Sequence, residues 1–171
     1  MARIVFVNDK DEVMGAGSKE EAWGKGIFHR VVGIFIFNSH GDLLIQKRSS
    51  SVPTSPNLWD NKSAGGHVDE GEDYIDAAKR ETKEELGIDN LQFEEAAKFF
   101  MKEVDEKGRI KNRFHMLYKT KYDGQVFSDE NDVAEIRWIS LDELKKWMHE
   151  KPKDFVESSL KSFQIVFGGS E

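Results

Sequence analysis

Three glutamates are the residues of this chain best placed to do chemistry. Glu81, Glu84 and Glu85 lie at positions i, i+3 and i+4 of a segment, residues 73–86, that is predicted to be a helix, so their carboxylates share one face. Three like charges held this close repel one another, and an isolated helix gains nothing from them. A divalent cation removes the repulsion, because hard cations such as Mg²⁺ take carboxylate oxygens as ligands. The spacing therefore predicts a metal site.

The three glutamates belong to a longer pattern of fixed residues with a glycine near each end. The pattern matches the Nudix box, G-x5-E-x7-R-E-U-x-E-E-x-G-U with U aliphatic, and the chain resembles that family. The matching residues are Gly66, Glu72, Arg80, Glu81, Glu84, Glu85, Gly87 and Ile88. Thr82 stands at an aliphatic position, where its methyl group can pack inward. By average residue usage, seven fixed residues would coincide at a given start on the order of once in 10⁸, so a solvated glutamate-rich helix is a poor alternative explanation.

The resemblance implies a hydrolase. Nudix substrates are mostly nucleoside diphosphates linked to another group, and water attacks a phosphorus of the diphosphate. The implied cofactor is Mg²⁺, with Mn²⁺ as an alternative, because a cation must neutralise the anionic diphosphate and orient the attacking water. The expected partner is therefore a small-molecule diphosphate, and a homodimer is a common assembly in the family.

The roles of the family transfer to this chain by position. Glu84 and Glu85 are expected to be the main metal ligands, together with the backbone carbonyl of Gly65. Glu81 is expected either to bind a further ion or to act as the base that activates water. The resemblance thus assigns both the metal site and the base to one helix and the loop before it.

Supporting roles fall to residues around the three glutamates. Arg80 is expected to fix the helix and the preceding loop, with Glu72 as its brace. A further metal-binding carboxylate is expected from a later loop, where Glu130 and Glu135 are the candidates and Glu135 is preferred because it opens a strand. Arg48, at the end of a predicted strand, is the candidate for gripping the diphosphate.

The stretch before the box is similar to isopentenyl diphosphate isomerase, which shares the Nudix fold. His29 and His67 fall where two metal-binding histidines of the isomerase would be, either as an altered metal site or as a trace of descent. The cysteine that the isomerase needs is replaced by Gly65, and its paired glutamates should fall near Asn112 and Arg113. Because the loss of a proton-transferring thiol costs orders of magnitude in rate, a hydrolase of the isomerase-like branch is predicted rather than an isomerase.

A binding protein is the third alternative, since some Nudix-fold proteins bind nucleotides without cleaving them. Such proteins usually lose glutamates of the box, whereas this chain retains every one. Catalysis is therefore the preferred interpretation, and the substrate within the diphosphate class stays open.

The elements that must position these residues follow from local patterns. Strands are predicted over residues 4–7, 29–37, 43–48, 91–104, 110–122 and 135–139, and helices over 18–25, 73–86, 141–149 and 154–163, with a loop over 49–61. Strands interleaved with a few helices predict an α+β fold with a mixed sheet covered on both faces, in agreement with the α/β/α sandwich that the resemblance implies. One domain over 1–171 is expected, with the resemblance strongest over 29–150 and with 1–28 and 151–171 as extensions.

Composition narrows the functional class. The chain has 171 residues, 33% charged and 38% hydrophobic, which is typical of a globular protein. Its net charge of −7 argues against a nucleic-acid partner but not against a small anionic substrate, because a bound metal supplies local positive charge. The absence of cysteine excludes disulfides and thiolate chemistry. With no signal peptide and no membrane-spanning run evident, a cytoplasmic protein without a membrane partner is expected.

Overall fold

The computed structural model describes residues 2–168; Met1 and residues 169–171, which belong to the two predicted extensions, lie outside the described residues. The strands are β1 (Ile4–Val7), β2 (Val13–Gly17), β3 (His29–Phe37), β4 (Leu43–Arg48), β5 (Trp59–Asp60), β6 (Ala64–His67), β7 (Glu94–Val104), β8 (Ile110–Lys121) and β9 (Val133–Ile139). The helices are α1 (Lys19–Lys25), α2 (Tyr74–Leu86), α3 (Leu141–Glu150) and α4 (Glu157–Phe167). The mixture of strands and helices confirms the predicted α+β class.

The strand β3 organises the sheet. It pairs in parallel with β8 along its whole length and antiparallel with β6, from Val31 opposite His67 to Ile34 opposite Ala64. The first residue of β3 also pairs with β1, which forms a hairpin with β2. Beyond these, β7 pairs with β8, and β4 pairs with β9 and β5. The sheet is therefore mixed, as predicted, and β6 brings the start of the box directly against its longest strand.

Alternation along β3 divides the core between the two faces of the sheet. Val32, Ile34 and Ile36 pack towards α2 in one cluster, whereas Phe35 packs with residues of α3 and α4 in the other. The long apolar run in β3 is explained by this arrangement, because both of its faces are covered. The two clusters confirm the predicted sandwich of a sheet between helical layers.

Three strands were not predicted from the sequence: β2, β5 and β6. β2 and β6 are rich in glycine and carry few β-branched residues, so their local propensity is low, and β5 has only two residues within the predicted loop 49–61. β2 and β5 are formed by pairing with the preceding strands β1 and β4, and β6 by pairing with the more distant β3. The last helix begins at Glu157 rather than at 154, because Pro152–Asp154 forms a 3₁₀ turn. No helix within residues 2–168 is long and apolar enough to cross a membrane.

Candidate active site

The helix that carries the three glutamates is fixed at both ends. Asp73 caps its start by accepting a hydrogen bond from the backbone N–H of Asp76 (3.0 Å), and the side chain of Asp76 accepts in return from Asp73. Gly87 ends it with φ of 67°, a left-handed conformation that favours glycine. Thr82 is buried in the helix interior and donates its hydroxyl to the carbonyl of Ala78 (2.7 Å), which explains how a polar residue fills an aliphatic position.

Arg80 joins the helix to the loop before it. Its Nε and Nη2 donate to the two carboxylate oxygens of Glu72 at 2.7 and 3.0 Å, and Nη2 also donates to the carbonyl of His67 at 2.9 Å. Its Nη1 donates to Glu81 at 2.8 Å and to Glu84 at 3.3 Å. Such a forked contact requires a guanidinium, because a lysine ammonium cannot present parallel donors. Arg80 therefore holds the loop and two of the glutamates in one arrangement.

Glu81 is wedged between Arg80 and the backbone of β6. Its side chain is only 13% exposed, and a Cβ atom added at Gly66 would overlap its carboxylate, so the first glycine of the box is required for this contact. Burial raises the pKa of Glu81 to about 7, even though Arg80 acts in the opposite direction. The site thus contains a carboxylate that exchanges its proton near neutral pH.

Glu85 lies deeper, beside Gly65, the first glycine of β6. Its Oε2 accepts from the backbone N–H of Gly65 at 3.2 Å and from the side-chain amide of Gln46 at 3.4 Å. Burial, followed by the charge of Glu81, raises the pKa of Glu85 well above its usual range. Glu84, one helical turn after Glu81, has a side chain that is 60% exposed, so it lies at the surface of the site. Gln46 was not found from the sequence; the one available signal is an amide within the otherwise apolar start of β4.

A cavity of about 350 Å³ opens beside Gly66, Arg80 and two of the three glutamates. Glu81 and Glu84 line one side, and Ser18, Lys19 and Glu20 at the start of α1 line the other. Residues 1–28, which the sequence analysis treated as an extension, therefore contribute a wall of the site. A larger cavity of about 690 Å³, lined by residues 90–94 and 119–121 with Phe37, contains none of the box glutamates.

Two predicted site residues lie elsewhere. Arg48 donates to the carbonyl and hydroxyl of Thr54 at 3.0 and 3.3 Å, so it braces the loop 49–61, and it does not line the smaller cavity. Glu135 forms an ion pair with Arg137 (3.2 Å), whose guanidinium stacks on Trp59. These contacts put Glu135 on the face of the sheet opposite α2, so the structure does not bring it together with the three glutamates.

The loop over residues 129–132, which carries the other predicted candidate, Glu130, lies nearer to the helix. The backbone N–H of Asp129 donates to the carbonyl of Glu85 at 3.1 Å, which packs this loop against the end of α2. Glu130 itself is exposed. Among residues 2–168, no three histidine, aspartate or glutamate side chains already converge as a metal centre, so the ligand roles of Gly65, Glu81, Glu84, Glu85 and Glu135 stay predictions.

His29 and His67 do meet, with stacked rings whose centroids are 5.5 Å apart. The Nδ1 of His29 lies 2.8 Å from the carbonyl of Ile27, which can only accept, so this nitrogen carries the proton. Burial lowers the pKa of His29 to about 4 and of His67 to about 3, and the charge of Arg113 contributes to both shifts. Arg113 is itself ion-paired with Glu103, so a carboxylate lies beside the guanidinium that acts on the histidine pair.

A family model for the NUDIX domain matches residues 27–158. The chain belongs to the Nudix family. An uncharacterized Nudix hydrolase of Pseudomonas aeruginosa is 39% identical over 137 residues, which are 80% of this chain and 77% of that protein. An isopentenyl-diphosphate Delta-isomerase of Burkholderia multivorans is 32% identical over 160 residues, 90% of this chain and 86% of that protein.

A solved structure agrees with these relatives. A protein of Deinococcus radiodurans superposes with a TM-score of 0.70 at 29% identity, covering 86% of this chain and 89% of that chain. The sequence and structural relatives together identify a Nudix hydrolase, and Nudix hydrolases generally use a divalent metal cation. The expectation of a member of this family, with relatives among the isomerases, is confirmed.

Proposed function

We propose that this Nudix hydrolase cleaves the diphosphate linkage of a small organic diphosphate, in the first place a nucleoside diphosphate derivative, by attack of water on phosphorus. The observation that carries the proposal is the row of carboxylates on α2, of which Glu81 and Glu84 line the cavity and Glu85 lies behind them; Glu81 and Glu85 are largely buried and have raised pKa values. Negative charge is concentrated there beyond what the side chains around it neutralise. Such a wall repels an anionic substrate unless a cation is bound as well.

The residues at the site fit a divalent cation, Mg²⁺ or alternatively Mn²⁺. Glu85 accepts hydrogen bonds only from the neutral donors Gly65 and Gln46 and forms no ion pair within residues 2–168. A buried carboxylate without a cationic partner is costly, and hard oxygen donors suit these ions. Glu84, Glu85 and the carbonyl of Gly65 would hold the ion, which would supply charge neutralisation of the diphosphate and an activated water.

The remaining groups position the carboxylates and the substrate, and one of them accepts the proton of the attacking water. Arg80 holds Glu81 and Glu84 against the loop, which limits their freedom before substrate binds. Glu81, with a pKa of about 7, is the residue of the row best suited to accept a proton from the attacking water at neutral pH. The wall formed by α1 opposite the glutamates would confine the substrate in the cavity.

Isomerase chemistry is disfavoured by the packing around Gly65. A Cβ atom at Gly65 would lie 2.7 Å from the carbonyl oxygen of Val32, so no side chain fits there without a shift of the backbone. The position at which the isomerase needs its cysteine is thus closed to any thiol.

Phosphorus NMR with excess Mg²⁺ and a panel of diphosphates tests the proposal. The panel contains nucleoside di- and triphosphates, nucleotide sugars, ADP-ribose and isopentenyl diphosphate. Release of phosphate or of a nucleoside monophosphate is expected, and Glu84→Gln and Glu85→Gln should each lower the rate at least about a hundredfold. Glu150→Gln, an exposed glutamate at the end of α3, is the matched control.

Three results would contradict the proposal. Turnover like that of the wild type in both Glu84→Gln and Glu85→Gln would eliminate the metal assignment. Tight nucleotide binding without any turnover across the panel would identify a binding protein. Isomerisation of isopentenyl diphosphate would identify an isomerase.

A further inference from the structure

Three cations gather around the indole ring of Trp23, which belongs to α1, the helix whose first residues line the cavity. The Nζ of Lys19, the guanidinium of Arg109 and the Nζ of Lys111 lie 5.8, 4.9 and 4.5 Å from the ring centroid of Trp23. Arg109 is neutralised by an ion pair with Asp105 at 2.7 Å. Lys19 and Lys111, in contrast, form no ion pair within residues 2–168, which is unexpected in a chain with a net charge of −7.

The two lysines border the candidate active site. Lys19 lines the same cavity as Glu81 and Glu84. His67 also lines it and lies against Trp23, with ring centroids 6.0 Å apart. The charges of Lys19 and Lys111 both contribute to the lowered pKa of His67, so both act on a residue that lines the cavity. Glu20 lines the cavity beside Lys19, and the charge of Asp105 acts on Lys111, but neither carboxylate forms an ion pair with these lysines. Two cations without an ion-pair partner among the described residues therefore stand beside the start of α1, which lines the cavity.

A buried donor without an acceptor lies in the same region. Trp23 Nε1 is buried and has no hydrogen-bond partner among the described residues. An indole N–H group can only donate, so a group that satisfies it must be an acceptor. Arg113, which is opposite His29 in the register of β3 and β8, already has an ion-pair partner in Glu103. The charge of the two lysines and the indole donor both favour an anion.

We propose that Lys19 and Lys111 form an anion subsite beside Trp23, which takes a phosphate group additional to the diphosphate held at the glutamates. This inference rests on the proposed function and narrows its substrate class. The substrate is a compound with a chain of three or more phosphates, rather than a diphosphate joined to an uncharged group. Lys19 and Lys111 are specificity-determining residues, and the glutamates of α2 remain responsible for the reaction.

Calorimetric titration with inorganic tripolyphosphate and with pyrophosphate, each in Mg²⁺, tests the subsite. The wild type should bind tripolyphosphate more tightly than pyrophosphate. Lys19→Met and Lys111→Met should each weaken tripolyphosphate binding about tenfold while pyrophosphate binding changes less than about twofold, because one charge-assisted contact is lost. Where tripolyphosphate is hydrolysed, KM replaces Kd as the readout.

Matched variants separate a lost contact from a lost fold. Lys25→Met removes a cation at the end of the same helix that is already paired with Glu21 at 2.9 Å, and it should leave both affinities unchanged. Lys111→Arg should retain the preference for tripolyphosphate, because the charge is kept. Equal weakening of both ligands in the methionine variants, or no weakening of either, would overturn the subsite.

The outcomes also distinguish this inference from the proposed function. A preference for tripolyphosphate that disappears in Lys19→Met and Lys111→Met, without hydrolysis of tripolyphosphate or of any compound in the phosphorus NMR panel, would support the subsite and contradict the hydrolase. Hydrolysis that is abolished in Glu84→Gln, with the preference for tripolyphosphate unchanged in both lysine variants, would contradict the subsite and support the hydrolase.

Discussion

The largely buried glutamates of α2 should lower the stability of the metal-free protein as the pH rises, relative to a variant that lacks the carboxylate of Glu81. Burial raises the pKa of Glu81 to about 7 from an ordinary value of 4.5. Between these two pH values the folded chain keeps a proton on Glu81 that the unfolded chain has lost. The stabilisation by this proton is therefore complete below about pH 4.5 and is lost as the pH rises through about 7.

The magnitude follows from the difference between the two pKa values. At about 1.4 kcal/mol for each tenfold change in the proton equilibrium, Glu81 alone accounts for about 3 kcal/mol of unfolding free energy. For a chain of this length, that corresponds to a decrease in Tm of about 10 °C. Glu85, whose pKa is raised well above its usual range, acts in the same direction. Mg²⁺ bound only by the folded chain should restore stability at the alkaline end.

Thermal unfolding followed by circular dichroism between about pH 5 and pH 8, in a chelator and in Mg²⁺, measures this effect. In the chelator, the Tm of the wild type should fall relative to that of Glu81→Gln as the pH rises. The buried histidines, whose lowered pKa values make stability rise with pH in the acid half of this range, are present in both proteins and cancel in the difference. Glu150→Gln, the exposed control, should follow the wild type. Parallel curves for the wild type and Glu81→Gln would refute the reasoning, because Glu81 would then titrate as it does in the unfolded chain.

Three further outcomes follow from the site. Gly66→Ala forces a Cβ atom into the carboxylate of Glu81, and it should lower kcat/KM about a hundredfold with an unchanged circular dichroism spectrum; turnover like that of the wild type would contradict the steric argument. Arg80→Lys loses the forked contact with Glu72 and should reduce the unfolding free energy by about 2 kcal/mol in urea titrations, and a loss below about 0.5 kcal/mol would remove Arg80 from its joining role. Glu135→Gln should leave kcat/KM within about twofold, since this residue lies on the opposite face; a much larger loss would reinstate it as a ligand.

Relations between residues close in sequence were predicted well. The helix over 73–86 was correct to within one residue at its start, because Asp73 and Gly87 cap it through contacts with neighbours in sequence. The position of Glu81, Glu84 and Glu85 along one helix followed from the period of 3.6 residues. Apolar runs likewise placed β3 and β4 with their observed bounds.

Relations that depend on distant pairing could not be predicted. The choice of Glu135 as a ligand placed a carboxylate near the site by its position in the chain, but successive side chains of a strand point to opposite faces. Its register with β4 puts Glu135 on the side of Arg137 and Trp59. Gln46 was missed for the related reason that its contact with Glu85 joins residues 39 positions apart.

The sequence by itself determined the family, the helix of α2 and the order of its charged groups, because each of these depends on residue type and on short spacing. The tertiary structure alone decided what faces that helix. Pairing of β6 with β3 sets Gly65 and Gly66 against Glu85 and Glu81, and packing of the N-terminal segment places Lys19 across the cavity. Such contacts join segments that are far apart in sequence, and their free energy comes from burial and pairing between elements rather than from any local pattern.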